Sequence, residues 1–334
     1  STNIAPDGSI KIFRWNLHFD EIKKVIIKEG VTEISGRAFK NCKQLSEVEI
    51  ANSVKYIGHE AFYGCSSLKE ISIPKNVENI GYHAFGSCEL LSTFDYDAAN
   101  CSNEVYWFDN NTVIKTLYIG SDVKRIPKIR SIQTVIFKEG VTEIPREAFS
   151  GFAELTAVRL PETLTRIGNE AFNNCKSIRE ITIPTGVIYI GWRAFGYCTS
   201  LEVVNFNSVN CGELSYNCFE DSPVKKINVG VGVNILPRLL TVENVTFANG
   251  AVKVPDNAFS HCAKLTTVTL PDSIETIGSH AFEYCEKLQN IELPQKLKIV
   301  GPAAFFACYN LRGAELPSSV IRIEEGAFDN CTSL

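Results

Sequence analysis

The stretch LKEISIPKNVENIGYHAFGSC, residues 68–88, carries the pattern that decides the fold of this chain. Near-copies recur along the sequence, among them LTAVRLPETLTRIGNEAFNNC at 155–175 and LQNIELPQKLKIVGPAAFFAC at 288–308. All share the skeleton L-x-x-I-x-I-P-x-x-V-x-x-I-G-x-x-A-F-x-x-C. A skeleton repeated at this length indicates one structural unit stacked many times, and not a set of independent domains.

The spacing of the repeat follows two nested periods. Counted from the first apolar residue of the skeleton, there are four intervals of 23 residues and one of 18, then the same five again, then four of 23. Each set of five intervals makes up one longer period, so that KEGVTEISGRAF at 28–39 returns as KEGVTEIPREAF at 138–149. We expect about 14 stacked coils over 22–334, of which those at 114–131 and 224–241 have only 18 residues.

Each unit begins with a pattern typical of a short strand. The alternation of Ile71 and Ile73 places both side chains on one face of a strand. Pro74 then ends the strand at a point where a missing N–H donor does least harm. The intervening residues, Glu70 and Ser72 in this unit, are expected on the opposite, solvent-facing side.

The second half of each unit predicts how the chain returns. Gly81 permits a tight turn, and the spacing Ala84-Phe85-x-x-Cys88 places Phe85 and Cys88 on one face of a short helix or 3₁₀ turn. One unit cannot bury its own apolar side, whereas stacked units can. The sequence therefore predicts an α/β solenoid with parallel strands on its inner face and short helical or 3₁₀ turns on its outer face.

The two ends of the chain differ from the repeat. Residues 10–19, IKIFRWNLHF, are rich in aromatic side chains and partly alternating, so 1–21 are assigned as an N-terminal cap segment and 22–334 as the solenoid. The start STNIAPDGS is interpreted as a mature or trimmed N-terminus. No cap follows NCTSL at 330–334, and we expect that the native chain continues there.

The repeated motifs resemble those of the BspA-like (Treponema-type) leucine-rich repeat family of bacterial and protozoan surface proteins. The resemblance covers about 22–334 and departs from the family pattern at Phe152, at Cys218 and in the two short coils. It is carried by the I-P strand ends, the A-F-x-x-C blocks and the I-G turns at 57–58, 80–81, 167–168, 190–191 and 277–278. It implies a right-handed leucine-rich-repeat solenoid, secreted or on a microbial cell surface, that adheres to host matrix proteins or to other cells.

The chain has 12 cysteines, nine of which occupy one position, three residues after the repeated Phe. They are Cys42, Cys65, Cys88, Cys175, Cys198, Cys262, Cys285, Cys308 and Cys331. Because free cysteine behaves as a small buried hydrophobe, we interpret them as a column of stacked thiols. Disulfides between neighbouring coils are the alternative, but runs of three, two and four cannot all pair. Zinc is a third option, disfavoured because no C-x-x-C pair occurs.

Composition and motifs exclude several classes of function. The net charge is −5 with both signs interspersed, so no basic stripe is available for nucleic acid or anionic lipid. No apolar run reaches the length of a membrane span. No H-E-x-x-H, G-x-S-x-G, phosphate-loop or dinucleotide-glycine motif occurs, so we predict no enzyme activity, no cofactor and no metal site.

The candidate binding residues are those expected to face outward from the strands, on the concave side. They vary in type while the skeleton stays fixed, as on a display surface, and their acidic members cluster toward both ends of the chain, which favours a basic or polar protein partner. They are Glu47, Glu49, Glu70, Ser72, Asp95, Arg159, Glu180, Thr182, Asn205, Thr269, Asn290, Glu292 and Glu315. Trp107 and Trp192 are expected near the outer turns, as loop packing or as a second contact patch.

Three functional hypotheses follow. The first is a non-catalytic secreted or cell-surface protein that binds a protein or glycoprotein through the concave strand face. The second is a structural scaffold, intracellular or periplasmic, in which unpaired thiols suit a reducing compartment. The third is a carbohydrate- or peptide-binding receptor module, which requires a local pocket with aromatic side chains.

Overall fold

The computed structural model describes residues 21–102 and 106–334, and the chain divides into two compact units, Ser1–Val141 (unit 1) and Thr142–Leu334 (unit 2). Both units are built from coils of the repeat. A full coil has a longer strand, a returning arm that often carries a two-residue strand, and the A-F-x-x-C segment. The cap strand predicted at 10–19 lies outside the described residues.

Unit 1 contains two kinds of parallel pairing. The longer strands are β1 (Lys24–Ile27), β3 (Glu47–Ile50), β5 (Glu70–Ile73), β7 (Thr93–Tyr96), β8 (Thr116–Ile119) and β9 (Thr134–Phe137). Among them β1 pairs with β3, while β5, β7, β8 and β9 pair in succession. The two-residue strands β2 (Glu33–Ile34), β4 (Tyr56–Ile57) and β6 (Asn79–Ile80) form a parallel sheet of their own. The short coil at 114–131 thus supplies β8 to the sheet of longer strands.

Unit 2 follows the same plan over more coils. Its longer strands are β11 (Ala157–Arg159), β13 (Glu180–Ile183), β15 (Val203–Phe206), β17 (Lys226–Val229), β18 (Asn244–Phe247) and β20 (Thr267–Thr269). The last five form one continuous parallel sheet.

The two-residue strands of unit 2 form two separate parallel sheets. One contains β10 (Glu143–Ile144), β12 (Arg166–Ile167), β14 (Tyr189–Ile190) and β16 (Glu213–Leu214); the other contains β19 (Lys253–Val254), β21 (Thr276–Ile277), β22 (Ile299–Val300) and β23 (Arg322–Ile323). The break falls at the described short coil 224–241, which supplies β17 to the longer sheet but no two-residue strand.

The right-handed parallel solenoid of leucine-rich-repeat type predicted from the sequence is confirmed, but the helical or 3₁₀ turns predicted on its outer face are not found. Every A-F-x-x-C segment among the described residues consists of turns. Alternate N–H groups bond to the next coil: the Phe62 N–H donates to the Ala84 carbonyl at 2.8 Å, whereas the Tyr63 N–H donates within its own turn to Glu60 at 3.1 Å. Glu60 also has a φ of 51°, which a right-handed helix does not contain. We call this row of bonds between successive turns the turn ladder.

The glycine of the I-G pair is explained by close approach between coils, and not by the tight turn expected at Gly81. A Cβ on Gly81 would lie 2.4 Å from the backbone nitrogen of His59, and a Cβ on Gly58 would lie 2.3 Å from that of Gly36. Neither Gly58 nor Gly81 has a positive φ. Glycine is required because the main chains of adjacent coils leave no room for a side chain.

Stacked aromatic rings form the centre of the core on the turn side. In unit 2, the ring centroids of Phe149, Phe172, Phe195 and Phe219 follow one another at 5.4, 5.2 and 5.2 Å with nearly parallel planes. A second stack begins at Phe259 and continues through the remaining coils at 5.7, 5.2 and 5.1 Å. The Phe172 side chain is fully buried, so these stacks are a main source of apolar burial between coils.

The repeated cysteines pack beside these rings, and all 12 cysteines are free thiols. Where the preceding coil is full, the thiol donates a hydrogen bond to its Phe carbonyl, as Cys198 does to Phe172 at 3.2 Å and Cys308 does to Phe282 at 3.1 Å. Directly after the short coil 224–241, Cys262 donates to the Leu239 carbonyl instead, at 3.3 Å. Burial raises the pKa of Cys198 and of Cys308 to about 12. The thiol is therefore both a small apolar group and a hydrogen-bond donor that keeps its proton.

Two hydroxyl groups take the thiol position where the cysteine column is interrupted. The Thr112 hydroxyl donates to the Phe85 carbonyl at 3.0 Å and the Ser222 hydroxyl donates to the Phe195 carbonyl at 2.6 Å. Each also accepts the N–H of the preceding cysteine at 3.0 Å. Thr112 and Ser222 occupy the same position in two successive copies of the longer period, which thus preserves the hydrogen bond although the residue type changes.

Candidate functional site

The polar strand face consists of the first and third positions of the longer strands and the equivalent positions of the last coils. In β5, Glu70 and Ser72 are exposed whereas Ile71 and Ile73 are buried, as the parallel strand geometry requires. Eleven of the thirteen residues predicted for this face are exposed, and Asp95 and Asn205 are half-buried.

In unit 1 the predicted residues surround a groove. Glu47 lies on β3, Glu70 and Ser72 lie on β5, and Asp95 lies on β7. These four residues and Tyr118 of β8 line a groove of about 360 Å³. The groove therefore combines three carboxylates with one aromatic ring, on β3 and on the separate sheet that contains β5, β7 and β8.

Two lysines neutralise the carboxylates at the border of this groove. Lys138 Nζ lies 2.5 Å from Asp95 Oδ1 and 2.8 Å from Asp97 Oδ1. Burial lowers the pKa of Lys138, but its hydrogen bonds to the two aspartates outweigh that effect and the net shift is upward.

The second lysine, Lys24, lies beside β3. Its Nζ is 2.6 Å from Glu47 Oε1 and 2.5 Å from Glu49 Oε1, and these hydrogen bonds hold the pKa of Glu49 below its ordinary value. Both lysines therefore compensate the charge of their neighbouring carboxylates.

Glu70 differs from the other carboxylates of the groove. It is exposed, and its side chain has no ion pair or hydrogen bond within the described part of the chain. Its negative charge is therefore the one in the groove that is available to a partner without breaking an internal bond.

In unit 2 the polar strand face carries a network of amide and hydroxyl groups. The Asn205 amide donates to Glu180 Oε1 at 2.6 Å and to Thr182 Oγ1 at 3.0 Å, and the Asn228 amide donates to Asn205 Oδ1 at 2.6 Å. These bonds run across β13, β15 and β17 and fix the orientation of each side chain.

The other predicted residues of unit 2 are more separate. Arg159 and Thr269 end β11 and β20, and Asn290 forms an isolated parallel bridge with Gly313. Glu292 and Glu315 are exposed in coils without a longer strand. Unit 1 thus contains Glu47, Glu49, Glu70, Ser72 and Asp95, and the remaining eight predicted residues belong to unit 2.

The sequence interpretation missed three residues of this face. Tyr118 and Asn228 lie in the short coils, which depart from the 23-residue pattern, and Lys138 follows the end of β9. Extending the alternation through the short coils finds Tyr118 between Leu117 and Ile119. Lys138 forms its ion pairs with aspartates that lie two coils earlier in the chain, and no local pattern predicts them.

Metal ligation, membrane insertion and the two tryptophans are the remaining features of the described residues. No group of three or more His, Cys, Asp or Glu among residues 21–102 and 106–334 could hold a metal ion. In the same residues, no helix is both long and apolar enough to cross a bilayer. Trp107 is buried against Phe94 and Tyr96, which assigns it to loop packing. Trp192 is exposed, with the Arg193 guanidinium 4.1 Å from its ring.

Stacked parallel coils with a fixed apolar skeleton define a leucine-rich-repeat solenoid. More narrowly, the chain belongs to the BspA-type leucine-rich repeat family, whose repeat-region model matches residues 13–129, 128–240 and 238–334. No curated protein matches the chain.

Several solved structures are similar to this chain. A leucine-rich repeat protein from Bacteroides ovatus is 25% identical over 94% of this chain and 78% of its own, with a TM-score of 0.41. A leucine-rich cell surface protein from Faecalibacterium prausnitzii is 25% identical over 94% and 86%, with a TM-score of 0.33. A leucine-rich repeat protein from Eubacterium ventriosum is 19% identical over 88% and 84%, with a TM-score of 0.39.

Proposed function

We propose that this chain is a non-catalytic binding protein, secreted or held at a bacterial cell surface, that attaches to proteins or glycoproteins of a host or of other cells through its polar strand face. Membership of the BspA-type family supports a binding role without chemistry. The outward residues differ from coil to coil on a rigid backbone, which is the arrangement expected of a recognition surface.

The groove of unit 1 is the observation that carries this proposal. It is concave, three of its four strands (β5, β7 and β8) are held in one sheet by main-chain pairing, and it contains the carboxylate of Glu70, which has no partner among the described residues. A basic or amide-rich segment of a partner would pair with Glu70, while Tyr118 would supply apolar contact area. The lysine-paired carboxylates around it favour a defined orientation over non-specific attraction.

Charge reversal tests the proposal. We expect Glu70→Lys to weaken binding to a responding member of a panel of purified extracellular-matrix and serum glycoproteins at least tenfold, because it reverses the free charge of the groove. Glu49→Lys should have a smaller effect, since Glu49 is already paired with Lys24. Glu180→Lys tests whether the polar strand face of unit 2 also contributes to the affinity. Surface plasmon resonance at two salt concentrations provides the affinities and their screening.

Glu89→Lys is the matched control, because Glu89 is exposed and lies on the turn that follows Cys88, away from the polar strand face. Equal affinities for Glu70→Lys, Glu180→Lys and Glu89→Lys would show that the partner does not bind at the polar strand face. Location is tested separately, by labelling intact cells that produce the native protein with a membrane-impermeant reagent. Absence of label from the protein on intact cells, with label after lysis, would rule out the surface location.

The groove also supports a second candidate, a carbohydrate-binding module. An aromatic ring flanked by carboxylates is suited to a sugar, because the ring packs on the apolar face and the carboxylates accept hydrogen bonds from hydroxyls. Tyr118→Ala and Glu70→Gln separate the two functions on a glycan array. A sugar site loses binding in both variants, whereas a basic protein partner is affected mainly by Glu70→Gln.

A further inference from the structure

The turn side of unit 2 contains a gap that the polar strand face does not share. The turn segments 215–222 and 256–262 belong to the coils before and after the short coil 224–241, which contributes no A-F-x-x-C turn. We call the space between them the notch: its walls are 215–222 and 256–262 and its floor is 235–241. On the strand side of the same coils, β15, β17, β18 and β20 are paired without interruption.

The notch has the size of one missing layer. The aromatic stack stops at Phe219 and resumes at Phe259, and Leu239 of the floor lines the cavities on both sides. Because the short coil lacks the A-F-x-x-C turn, the turn layers on either side of it are about 10 Å apart, twice the spacing of adjacent chains. Leu239 fills only the core end of that gap, where its carbonyl accepts the Cys262 thiol at 3.3 Å. Two cavities, of about 420 and 460 Å³, share Tyr216, Arg238 and Leu239 as lining residues. A single polypeptide segment fits such a space.

One wall of the notch presents unused main-chain donors. In the preceding coil, the N–H groups of Arg193, Phe195 and Tyr197 donate to the turn 215–222. The equivalent N–H groups of that turn belong to Asn217, Phe219 and Asp221, and they have no acceptor within the described residues. They occur at every second residue, as at the edge of a sheet.

The opposite wall presents unused acceptors. In full coils, the carbonyls at these positions receive the N–H groups of the preceding turn, as Ser279, Ala281 and Glu283 do from the turn 256–262. The corresponding carbonyls of Asp256, Ala258 and Ser260 have no main-chain donor in the part of the chain that the structure describes. The notch therefore has donors on one side and acceptors on the other, in the repeat of the turn ladder.

The chain is adapted to this gap. In the next coil, the Gly278 N–H donates to the Val254 carbonyl at 2.9 Å, but the same position directly after the short coil is Pro255, which has no N–H. Pro145 occupies the equivalent position one longer period earlier, after the other short coil. Pro255 therefore needs no carbonyl acceptor in the preceding coil, as expected where that coil lacks the turn.

The floor of the notch adds charge and apolar area. The Arg238 guanidinium lies 4.6 Å from the ring centre of Tyr216, and it has no ion pair among the described residues. Tyr216, Ile235 and Leu240 are exposed around it. By contrast, the acidic Glu220 of the wall is already paired with Arg193. The free charge on the floor is therefore positive, while the exposed carboxylate of Asp221 on the wall also has no ion pair among the described residues.

We propose that the notch is a second binding site, which takes one segment of a partner polypeptide that carries an acidic side chain. The carbonyls of the segment accept the N–H groups of Asn217, Phe219 and Asp221, and its own N–H groups donate to the facing carbonyls, which completes the turn ladder. Its carboxylate pairs with Arg238, and an adjacent apolar side chain packs on Tyr216. The site is independent of the polar strand face.

A peptide selection on the full chain tests this inference. Random 12-residue peptides displayed on phage are selected on the immobilised protein, and the selected sequences are synthesised. We expect peptides enriched in Asp or Glu whose affinity falls at least tenfold in Arg238→Glu and is unchanged in Arg312→Glu, an exposed arginine outside the notch. Amide hydrogen exchange should slow at Asn217, Phe219 and Asp221 when the peptide is bound.

A second variant fills the notch with the chain's own sequence. Residues 230–241 are replaced by a copy of 271–287, which converts the short coil into a full one of 23 residues. This variant should fold and lose the peptides, whereas Glu70→Lys should keep them. Peptides that bind Arg238→Glu and the filled variant as tightly as the parent, or a selection that yields no peptide displaced by these changes, would overturn the proposal and leave the function of the polar strand face untouched.

Discussion

The strand side and the turn side of the same coils differ in what they keep constant. On the strand side the longer strands pair through the short coils, while the outward residues change from Glu70 to Asn205 to Thr269. On the turn side the Gly, Ala, Phe and Cys positions barely change from coil to coil. Even so, the turn ladder is interrupted at the short coil 224–241. The comparison teaches that pairing between the longer strands continues through a short coil, whereas the turn ladder and the stacked rings of the turn side need a full coil.

The physical reason lies in what each position contacts. Phe172 is buried between two parallel rings, and Gly168 faces the main chain of the previous coil, so both have neighbours that repeat identically. Thr182 is exposed, and Asn205, which donates to its hydroxyl from the next coil, is itself at a position that varies from coil to coil. A position with identical neighbours in every coil is constrained, and a solvated one is free to vary.

The largest expected effect comes from breaking the aromatic stack. Phe172→Ala removes a fully buried ring between Phe149 and Phe195 and should lower the free energy of unfolding by about 3–5 kcal/mol. Thr182→Ala, on the strand side of the next coil, should stay within about 0.5 kcal/mol of the parent. Urea unfolding followed by circular dichroism measures both. Similar losses in the two variants would contradict the division of roles between the two sides.

A smaller effect is expected from crowding the contact between coils. A Cβ on Gly168 would lie 2.6 Å from the backbone nitrogen of Arg146, so Gly168→Ala forces the coils apart and should cost about 1–3 kcal/mol. Gly212→Ala is the matched control, because a Cβ there meets nothing within 4 Å. It should be neutral or slightly stabilising, since alanine reduces the entropy of the unfolded chain. A neutral Gly168→Ala would show that the coils can separate freely.

These positions also show how far the sequence leads to the fold. The alternation of Ile71 and Ile73, the prolines and the 23-residue period predict the parallel strands and the apolar side of the turns. The helical turn predicted for Ala84-Phe85-x-x-Cys88 is absent because each helical N–H would bond along its own chain, whereas here every second one is used by the neighbouring coil. Local spacing contains no information on that competition between coils.

Only part of the candidate site could be predicted from the sequence, because only some of its features follow from local pattern. Outward positions such as Glu70 follow from strand alternation, which is local. The groove around Glu70 depends on which of the carboxylates are neutralised, and that is set by Lys24 one coil away and by Lys138 far along the chain. The donors of Asn217, Phe219 and Asp221 depend on the absence of a neighbour, which the sequence signals only through the 18-residue interval and the proline that follows it.

The smallest expected effect separates the two roles of the thiol column. Burial raises the pKa of Cys308 to about 12, from an ordinary value near 9. As pH rises above 9, the unfolded state loses this proton while the folded state keeps it, so the stability falls with pH. Between pH 8 and pH 10 this single thiol should account for a loss of about 1.4 kcal/mol.

Two substitutions at Cys308 distinguish the proton from the hydrogen bond. Cys308→Ser does not titrate but keeps a donor for the Phe282 carbonyl, so its stability should fall less between pH 8 and pH 10 than that of the parent. Cys308→Ala should show the same reduced pH dependence, with a further constant loss of about 1–3 kcal/mol because the carbonyl is left without its donor. The free energies of unfolding are measured in a reducing buffer. An unchanged pH dependence in both variants would mean that this thiol is not held protonated by the turn side, and that the column acts through packing alone.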